Sequence, residues 1–575
     1  VSVRALPDSA LAFREANLED VIPFYEDLAA RPLDGGESAV AAWLTEWSRL
    51  EELFAEAHNE ASTAYDRDTA DPDKELADLR FSAEISPQLE PYRVKLGAML
   101  VASGFSRPDL EPMIARWRNR IELFREENVP LVADEQRLAS RYSKVIGAMT
   151  AEWGGRQLPP PQLRPFTNSA DRALREQAFR AFFKPYVEAR DELADIFDAL
   201  FELRQQQARN AGFENYRDYM HRAKNRFDYS VEDTIRFQDS VAATVVPALE
   251  RIYLRRARQM ELREDLVRPW DAIDSHVGNP DPLGRPALRP FDTEGELIEK
   301  TKRVFDRVDP VLGEYFDRLV KNEMLDLMSR QGKAPGAYCT TFPVSKLPFI
   351  FANSSGVAGD VDTVFHESGH AFHSFESMQL PFLFQRFPGS EMAEVASMAM
   401  ELLGAPYLDA AEDSFYDDDE ARRARAAHLE EALASVVHIA SVDAFQHWIY
   451  TSGHGQDRNA RDREWVRIRQ RFLKGVDWDG CENEQVARWY EQVHFFSYPF
   501  YYIEYGIAQL GAFQVWRNAL TDQAGAVAAY RRALALGGSR PLPELFEAAG
   551  ARLVFDETGM AELVDLVEEH LESLR

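Results

Sequence analysis

Three residues in the stretch Asp362 to Phe375, D-T-V-F-H-E-S-G-H-A-F-H-S-F, have the types and spacing for chemistry: His366, Glu367 and His370. In a helix, positions four apart stand on one face about 6 Å apart along the axis, so two imidazoles can converge on one cation. Glu367 sits beside that pair, where a carboxylate can take a proton from a water held at the cation without binding the cation itself. The pattern is that of a metal-assisted hydrolytic centre. Helical histidines that only pack would show the same letters, so the assignment needs a third ligand.

That ligand has to come from the segment Glu391 to Leu403, E-M-A-E-V-A-S-M-A-M-E-L-L, which is apolar on nearly all sides of a helix. Glu394 and Glu401 are two turns apart on one face. A carboxylate in such a helix requires a metal, a cation or hydrogen-bond donors to offset its desolvation. Glu394 as a metal ligand, with Glu401 as hydrogen-bond partner of a ligating histidine, is one coherent assignment. Glu391, three residues away on nearly the same face, competes for the ligand role, and spacing leaves the two open. His373 follows His366 by seven residues on one face, either as a donor to the site or as a core histidine. The layout H-E-x-x-H-x-x-G-x-x-H is excluded, because its glycine and last histidine positions hold His373 and Glu376.

Immediately upstream lies the one clear β signal, Gly336 to Phe342 and Pro348 to Ala352, joined by Pro343 to Leu347. It reads as a hairpin. A strand with a free edge there can hold an extended peptide through its backbone, and a hairpin that merely covers the core fits the letters equally. The first third reads as amphipathic helices: Leu44, Trp47, Leu50, Phe54 and Ala57 after the breaker Pro32 to Gly36, and Ile114, Trp117, Ile121 and Phe124 after Pro112. Asp66 to Asp73 reads as a loop. Gly154-Gly155 and Pro159-Pro160-Pro161 break the chain before Asn168 and Ser169, which can cap a new helix. Helical spacing resumes from Ala170 to Asn210 with a kink or boundary at Pro185, Gly212 is a helix stop, and Arg268 to Pro290 reads as a loop over a cleft.

Composition narrows the function classes. The 575 residues are 28% charged and 45% hydrophobic, as in a folded globular protein, and 66 basic against 96 acidic residues give a formal charge of −30. Such a surface repels nucleic acid and anionic membranes, so neither is an expected partner. No leader-type apolar segment opens the sequence and no run approaches the roughly 18 apolar residues of a membrane span. Two cysteines, Cys339 and Cys481, do not build a disulfide framework. Together these favour a cytoplasmic location.

H-E-S-G-H-A-F-H, followed 24 residues beyond His370 by the glutamate of E-V-A-S-x-x-x-E, closely resembles the M3 zinc metallopeptidases, the thimet oligopeptidase family, and within it the oligoendopeptidase F branch. The likeness extends over G-x-x-N-Y at Gly212 to Tyr216, G-A-Y-C at Gly336 to Cys339, and H-F-F-S-Y-P-F-Y-Y-I-E-Y-G at His494 to Gly506. It implies Glu394 as the third ligand beside His366 and His370, one Zn2+ per chain, and Glu367 as general base. Hydroxyl-bearing rings and an imidazole are suited to hold a tetrahedral intermediate's oxygen. By the resemblance, His494, Tyr502 and Tyr505 face the metal and support the oxyanion, and Tyr498 binds substrate. The histidine stands one residue nearer the first tyrosine than in the thimet oligopeptidase pattern, which leaves Tyr501 as a substitute for Tyr502.

The implied fold is mainly α, an ellipsoid split by a deep substrate channel with a small β-sheet beside the metal helix. Residues 1–166 would form a helical part of the channel wall and residues 167–575 the catalytic region. The implied activity is zinc-dependent endopeptidase cleavage of short unfolded peptides. Two alternatives stay open: a carboxydipeptidase of the angiotensin-converting type that releases C-terminal dipeptides, and a peptide-binding scaffold without turnover.

Overall fold

The computed structural model describes residues 5–262, 267–274, 276–409 and 414–574. The fold is mainly helical with two small sheets. Helices Leu18–Ala29, Glu37–Asp66, Ser86–Ala102 and Glu111–Leu123 bury their apolar stripes in a hydrophobic cluster of their own, reaching from Ala10 to Trp117 and completed by Phe382. Its centre is aromatic: the Trp47 ring lies 4.7 Å from both Trp117 and Phe384. Gly97 is required there, since a Cβ would come within 2.6 Å of the Trp117 ring. Tyr142, Ile146 and Leu163 already belong to the second, larger core, which continues to Leu571.

The breaker at Pro32 to Gly36 separates two helices as expected, and the turn at Gly212 (φ +87°) ends the helix Arg190–Asn210. Asn215 then caps the next helix by accepting the Asp218 backbone N–H, while Tyr216 is buried against Tyr450, so G-x-x-N-Y is built as a helix stop, a cap and an anchor. Pro185 falls inside the helix Arg172–Glu188, one turn before its end. Its cap is Asp171, which accepts from Ala173 and Leu174, and not Asn168 or Ser169. Asn168 instead holds Arg164 and Asn279. The expected loop over residues 66–73 is shorter, because Pro72 opens a helix at its first position and Asp66 closes the preceding one.

Gly154-Gly155 is more than a break. The two glycines, at φ +59° and +77°, turn a hairpin between β1 (Ala151–Trp153) and β2 (Arg156–Leu158), as tight antiparallel turns demand. The hairpin read upstream of the H-E-x-x-H segment is present as β4 (Tyr338–Phe342) and β5 (Leu347–Ser354), with Phe342 opposite Leu347. A further strand that the sequence reading missed, β3 (Leu325–Met328), pairs parallel to β5, giving the order β3-β5-β4. Among the described residues no strand pairs with the other side of β4. The segment from Arg268 to Pro290, apart from Ser275, which lies outside the described residues, is mostly irregular. Its start is buried and pinned, with Asp271 accepting from Arg172 and Arg175, and residues His276 to Pro282 line a cavity of about 650 Å³. No helix among the described residues is long and apolar enough to cross a membrane.

Candidate active site

His366, Glu367 and His370 lie on the helix Ala358–Ser377, and Glu391, Glu394 and Glu401 on Ser390–Gly404. The two helices touch where Gly369 faces Ala396 and Ser397. A Cβ on Gly369 would stand 2.4 Å from the Ala396 carbonyl oxygen, so the glycine inside H-E-S-G-H lets the acidic helix approach closely enough for Glu394 to reach the histidines. Ligand atoms of His366, His370 and Glu394 all fall within 4.8 Å of one another. Glu394 Oε2 is 3.2 Å from His366 Nε2 and 3.4 Å from His370 Nε2. Glu391, the competitor left open by spacing, points away and accepts a 2.6 Å hydrogen bond from the Tyr229 hydroxyl.

Hydrogen bonds fix His366, Glu394 and Glu401. Glu401 Oε1 lies 2.7 Å from His366 Nδ1, which leaves His366 Nε2 for the cluster, and Glu401 Oε2 lies 2.7 Å from His428 Nε2. Glu394 Oε1 accepts from the Tyr501 hydroxyl at 2.6 Å and Oε2 accepts from Ser397 Oγ at 2.9 Å. Burial alone would raise the Glu394 carboxyl, yet His370 and His366 hold it well below the usual carboxylate range. Burial alone would lower His366, yet Glu394 and Glu401 push it well above the ordinary imidazole value. For His428 the acids Asp362 and Glu401 outweigh burial and bring it to about 9, while burial lifts Asp362 to about 6. Two imidazoles and a buried carboxylate thus converge at a point that favours positive charge, and the donor set fits a divalent cation.

Glu367 is buried and its Oε2 has no hydrogen-bond partner among the described residues, a costly state unless the oxygen serves a reacting molecule. Burial raises its carboxyl. His373 is buried with Nε2 unpartnered and is pushed down to about 3 by burial and then by His370, so of the two readings the core histidine is what the structure presents.

Opposite stand the aromatic residues. His494 lies on a short helical turn and Tyr502 and Tyr505 open the helix Tyr502–Thr521, which packs against Ser390–Gly404. His494 Nε2 is 3.3 Å from the Tyr505 hydroxyl. The Tyr502 hydroxyl faces Gln492 Oε1 at 3.2 Å, and Tyr501, the substitute considered for it, bonds Glu394 instead. Tyr498 is 57% exposed, its ring 6.0 Å from His494. Phe500 is held at φ +59°, a conformation disfavoured for a bulky side chain, by a bond from its N–H to Gln446 and one from Arg226 to its carbonyl. This bend lets consecutive tyrosines face different partners.

Cavities open before and after His494 along the chain. The 650 Å³ cavity is lined by Glu491, Val493, Gly336, Ala337 and Thr363; another, of about 840 Å³, by Ser497 and Tyr498 with Tyr65, Asp66 and Asp78 of the N-terminal helices. Strand β4 touches the helix Ala358–Ser377, with Thr341 Oγ1 2.8 Å from Ser374 Oγ. Thr341 stands opposite Pro348, which has no N–H, so its backbone groups, and by alternation those of Cys339, point away from β5. Asn59 occupies the Thr341 carbonyl at 2.8 Å, which among the described residues leaves the Thr341 N–H and the backbone of Cys339 as open parts of the edge. Sequence reasoning missed Gln492, His428, Ser397 and Asn59. Only His428, on the buried face of the long helix Asp418–Thr451, carried a signal that could have drawn attention.

Residues 166–564 match the model of peptidase family M3. The chain belongs to that family. It is therefore a peptidase of the metallopeptidase class. Among curated relatives of this M3 peptidase, an oligoendopeptidase F homolog of Borreliella burgdorferi is 22% identical over 449 residues, covering 74% of this chain and 71% of the relative. Among solved structures, PZ peptidase A with an inhibitor superposes with a TM-score of 0.90 at 26% identity, covering 97% of this chain and 98% of that one. A candidate oligoendopeptidase F superposes with a TM-score of 0.90 at 27% identity, covering 98% and 99%.

Proposed function

We propose that this M3 peptidase is a zinc oligoendopeptidase that cleaves internal bonds of short, unfolded peptides, with His366, His370 and Glu394 holding the ion. The observation that carries this is the convergence of those three ligand atoms beside a buried carboxylate, Glu367, whose Oε2 no group among the described residues satisfies. Bound there, zinc would supply a Lewis acid that polarises the scissile carbonyl and makes water easier to deprotonate near neutral pH. Glu367 takes a proton from the attacking water and returns it to the leaving amine, so one carboxylate serves first as base and then as acid. Tyr505 and His494 donate hydrogen bonds to the carbonyl oxygen as it gains charge. Tyr502 braces Gln492 and the His494 ring rather than reaching the oxygen itself.

The edge of β4 at Cys339 takes the peptide backbone in extended form, and Tyr498 contacts its side chains. Backbone pairing of this kind tolerates varied sequences, which suits a peptidase without a narrow side-chain requirement. Helices of residues 1–166 form one wall: Asn59 bonds β4, Asp66 accepts from Tyr338, and their neighbours line the larger cavity. A walled cleft admits an extended segment and excludes folded domains.

The test is mass spectrometry of products from a peptide of about ten residues, with chelator and with zinc restored. Internal cleavage that disappears with chelator and returns with zinc is expected. Stepwise release of C-terminal dipeptides would replace the reading with a carboxydipeptidase, and binding without cleavage would make the protein a scaffold. Intact casein should be cut far more slowly than its tryptic fragments; equal rates would remove the size filter.

A further inference from the structure

Arg469 anchors a run of side-chain hydrogen bonds whose direction is set by chemistry. A guanidinium only donates, and its Nη1 lies 3.2 Å from His438 Nδ1. That ring nitrogen must accept, so the proton of neutral His438 is on Nε2, which stands 2.9 Å from Gln492 Oε1. The Tyr502 hydroxyl lies 3.2 Å from the same oxygen. The amide is thereby oriented, and its Nε2, an obligatory donor, faces His494 Nδ1 at 2.9 Å. The opposite amide orientation would set two N–H groups against each other at His438.

We infer that Arg469, His438 and Gln492 are positioning residues that hold His494 in the neutral tautomer with its proton on Nε2, so that it enters the cleft as a hydrogen-bond donor beside Tyr505. The inference rests on the reading of His494 as a donor to the carbonyl oxygen. Gln492 is fully buried, so neither end of its amide can turn to water for another partner. Burial, reinforced by Arg488 and Arg469, pushes His438 well below the ordinary imidazole value, and burial pushes His494 down to about 3. Both rings are then neutral under working conditions, where a tautomer choice has meaning. The choice matters because the other tautomer of His494 would present a lone pair to the carbonyl oxygen, turning an attraction into a repulsion.

The experiment is 15N NMR of the full-length protein with labelled histidine, His494 being assigned by the signals lost in His494→Gln. An unprotonated Nδ1 and a protonated Nε2 are expected in the unmodified protein; a proton on Nδ1 overturns the inference. In Gln492→Glu the carboxylate can still accept from His438 and Tyr502 but cannot donate to His494, so the wild-type tautomer pattern should vanish. Its kcat should fall on the order of 100-fold, as for loss of an oxyanion donor, with KM within about threefold. Arg469→Lys should keep the wild-type pattern and Arg469→Met should lose it. Retention of the pattern in Gln492→Glu would refute the mechanism. If the pattern is as expected but His494→Gln is fully active, the tautomer device stands and the catalytic reading of His494 falls.

Discussion

Replacing Tyr501 by Phe separates two roles that its sequence position cannot tell apart. The hydroxyl donates to Glu394 Oε1 at 2.6 Å, and removing it leaves Ser397, on Oε2, as the remaining side-chain donor to that carboxylate among the described residues other than the histidines. The Lys224 ammonium, 4.7 Å above the Tyr501 ring, keeps its contact with a phenyl ring, so the change is close to removal of one hydrogen bond. A hydrogen bond to an ionised group contributes about 1.5–3 kcal/mol, which at about 1.4 kcal/mol per decade corresponds to a weakening of zinc binding by roughly 10- to 150-fold. Partners of metal ligands in general contribute about 10- to 100-fold to affinity, the same range. The assay is competition for zinc against a chelator of known affinity. Tyr502→Phe serves as comparator, because its hydroxyl faces Gln492 and its loss should leave zinc affinity unchanged. Activity of Tyr501→Phe should recover substantially at saturating zinc. Unchanged zinc affinity combined with lost activity at saturating zinc would refute the positioning argument and make Tyr501 a substrate contact.

Glu367→Gln should retain zinc within a few-fold while kcat falls by at least about 10³-fold, in line with loss of a general base; a fully active variant would remove Glu367 from the mechanism. Glu391→Gln should bind zinc as the parent protein does, since Glu391 is held by Tyr229, whereas Glu394→Gln should lose most affinity; equal losses in the same competition assay would show that the two helices are registered differently. Burial, and then Arg93, lowers His58 from 6.5 to about 4, where its ring stacks on Phe81. Between those values the unfolded chain binds a proton that the folded protein refuses, so stability falls as pH drops, by up to about 3 kcal/mol at pH 4. His58→Phe should flatten that part of a denaturation-midpoint curve against pH; an unchanged slope would assign the dependence to other groups.

Much of the site was legible because it is local. H-E-x-x-H places two imidazoles on one helical face by the pitch of the helix alone, and the apolar residues around Glu394 and Glu401 account for the burial of the first and the partial burial of the second. The β4–β5 hairpin announced itself through β-branched and aromatic runs next to a turn. The hairpin at Gly154-Gly155 did not, because its strands are three residues long and carry polar side chains that read as loop. The short strand β3 was missed for the related reason that its partner lies more than twenty residues away.

The sequence by itself determined the chemistry offered: two histidines and a carboxylate on one helix, acids on a second, and hydroxyl rings near the end of the chain. Which acid meets the histidines was decided in three dimensions, where Gly369 allows two helices to touch and directs Glu394 inward and Glu391 to Tyr229. The same holds for the tyrosines. Residues 501 and 502 are neighbours in the chain, yet the bend at Phe500 and the start of the next helix send one hydroxyl to Glu394 and the other to Gln492. Periodicity describes one element at a time, whereas partners such as Asn59 with Thr341 or Arg469 with His438 belong to different elements, and only packing sets the distance between them.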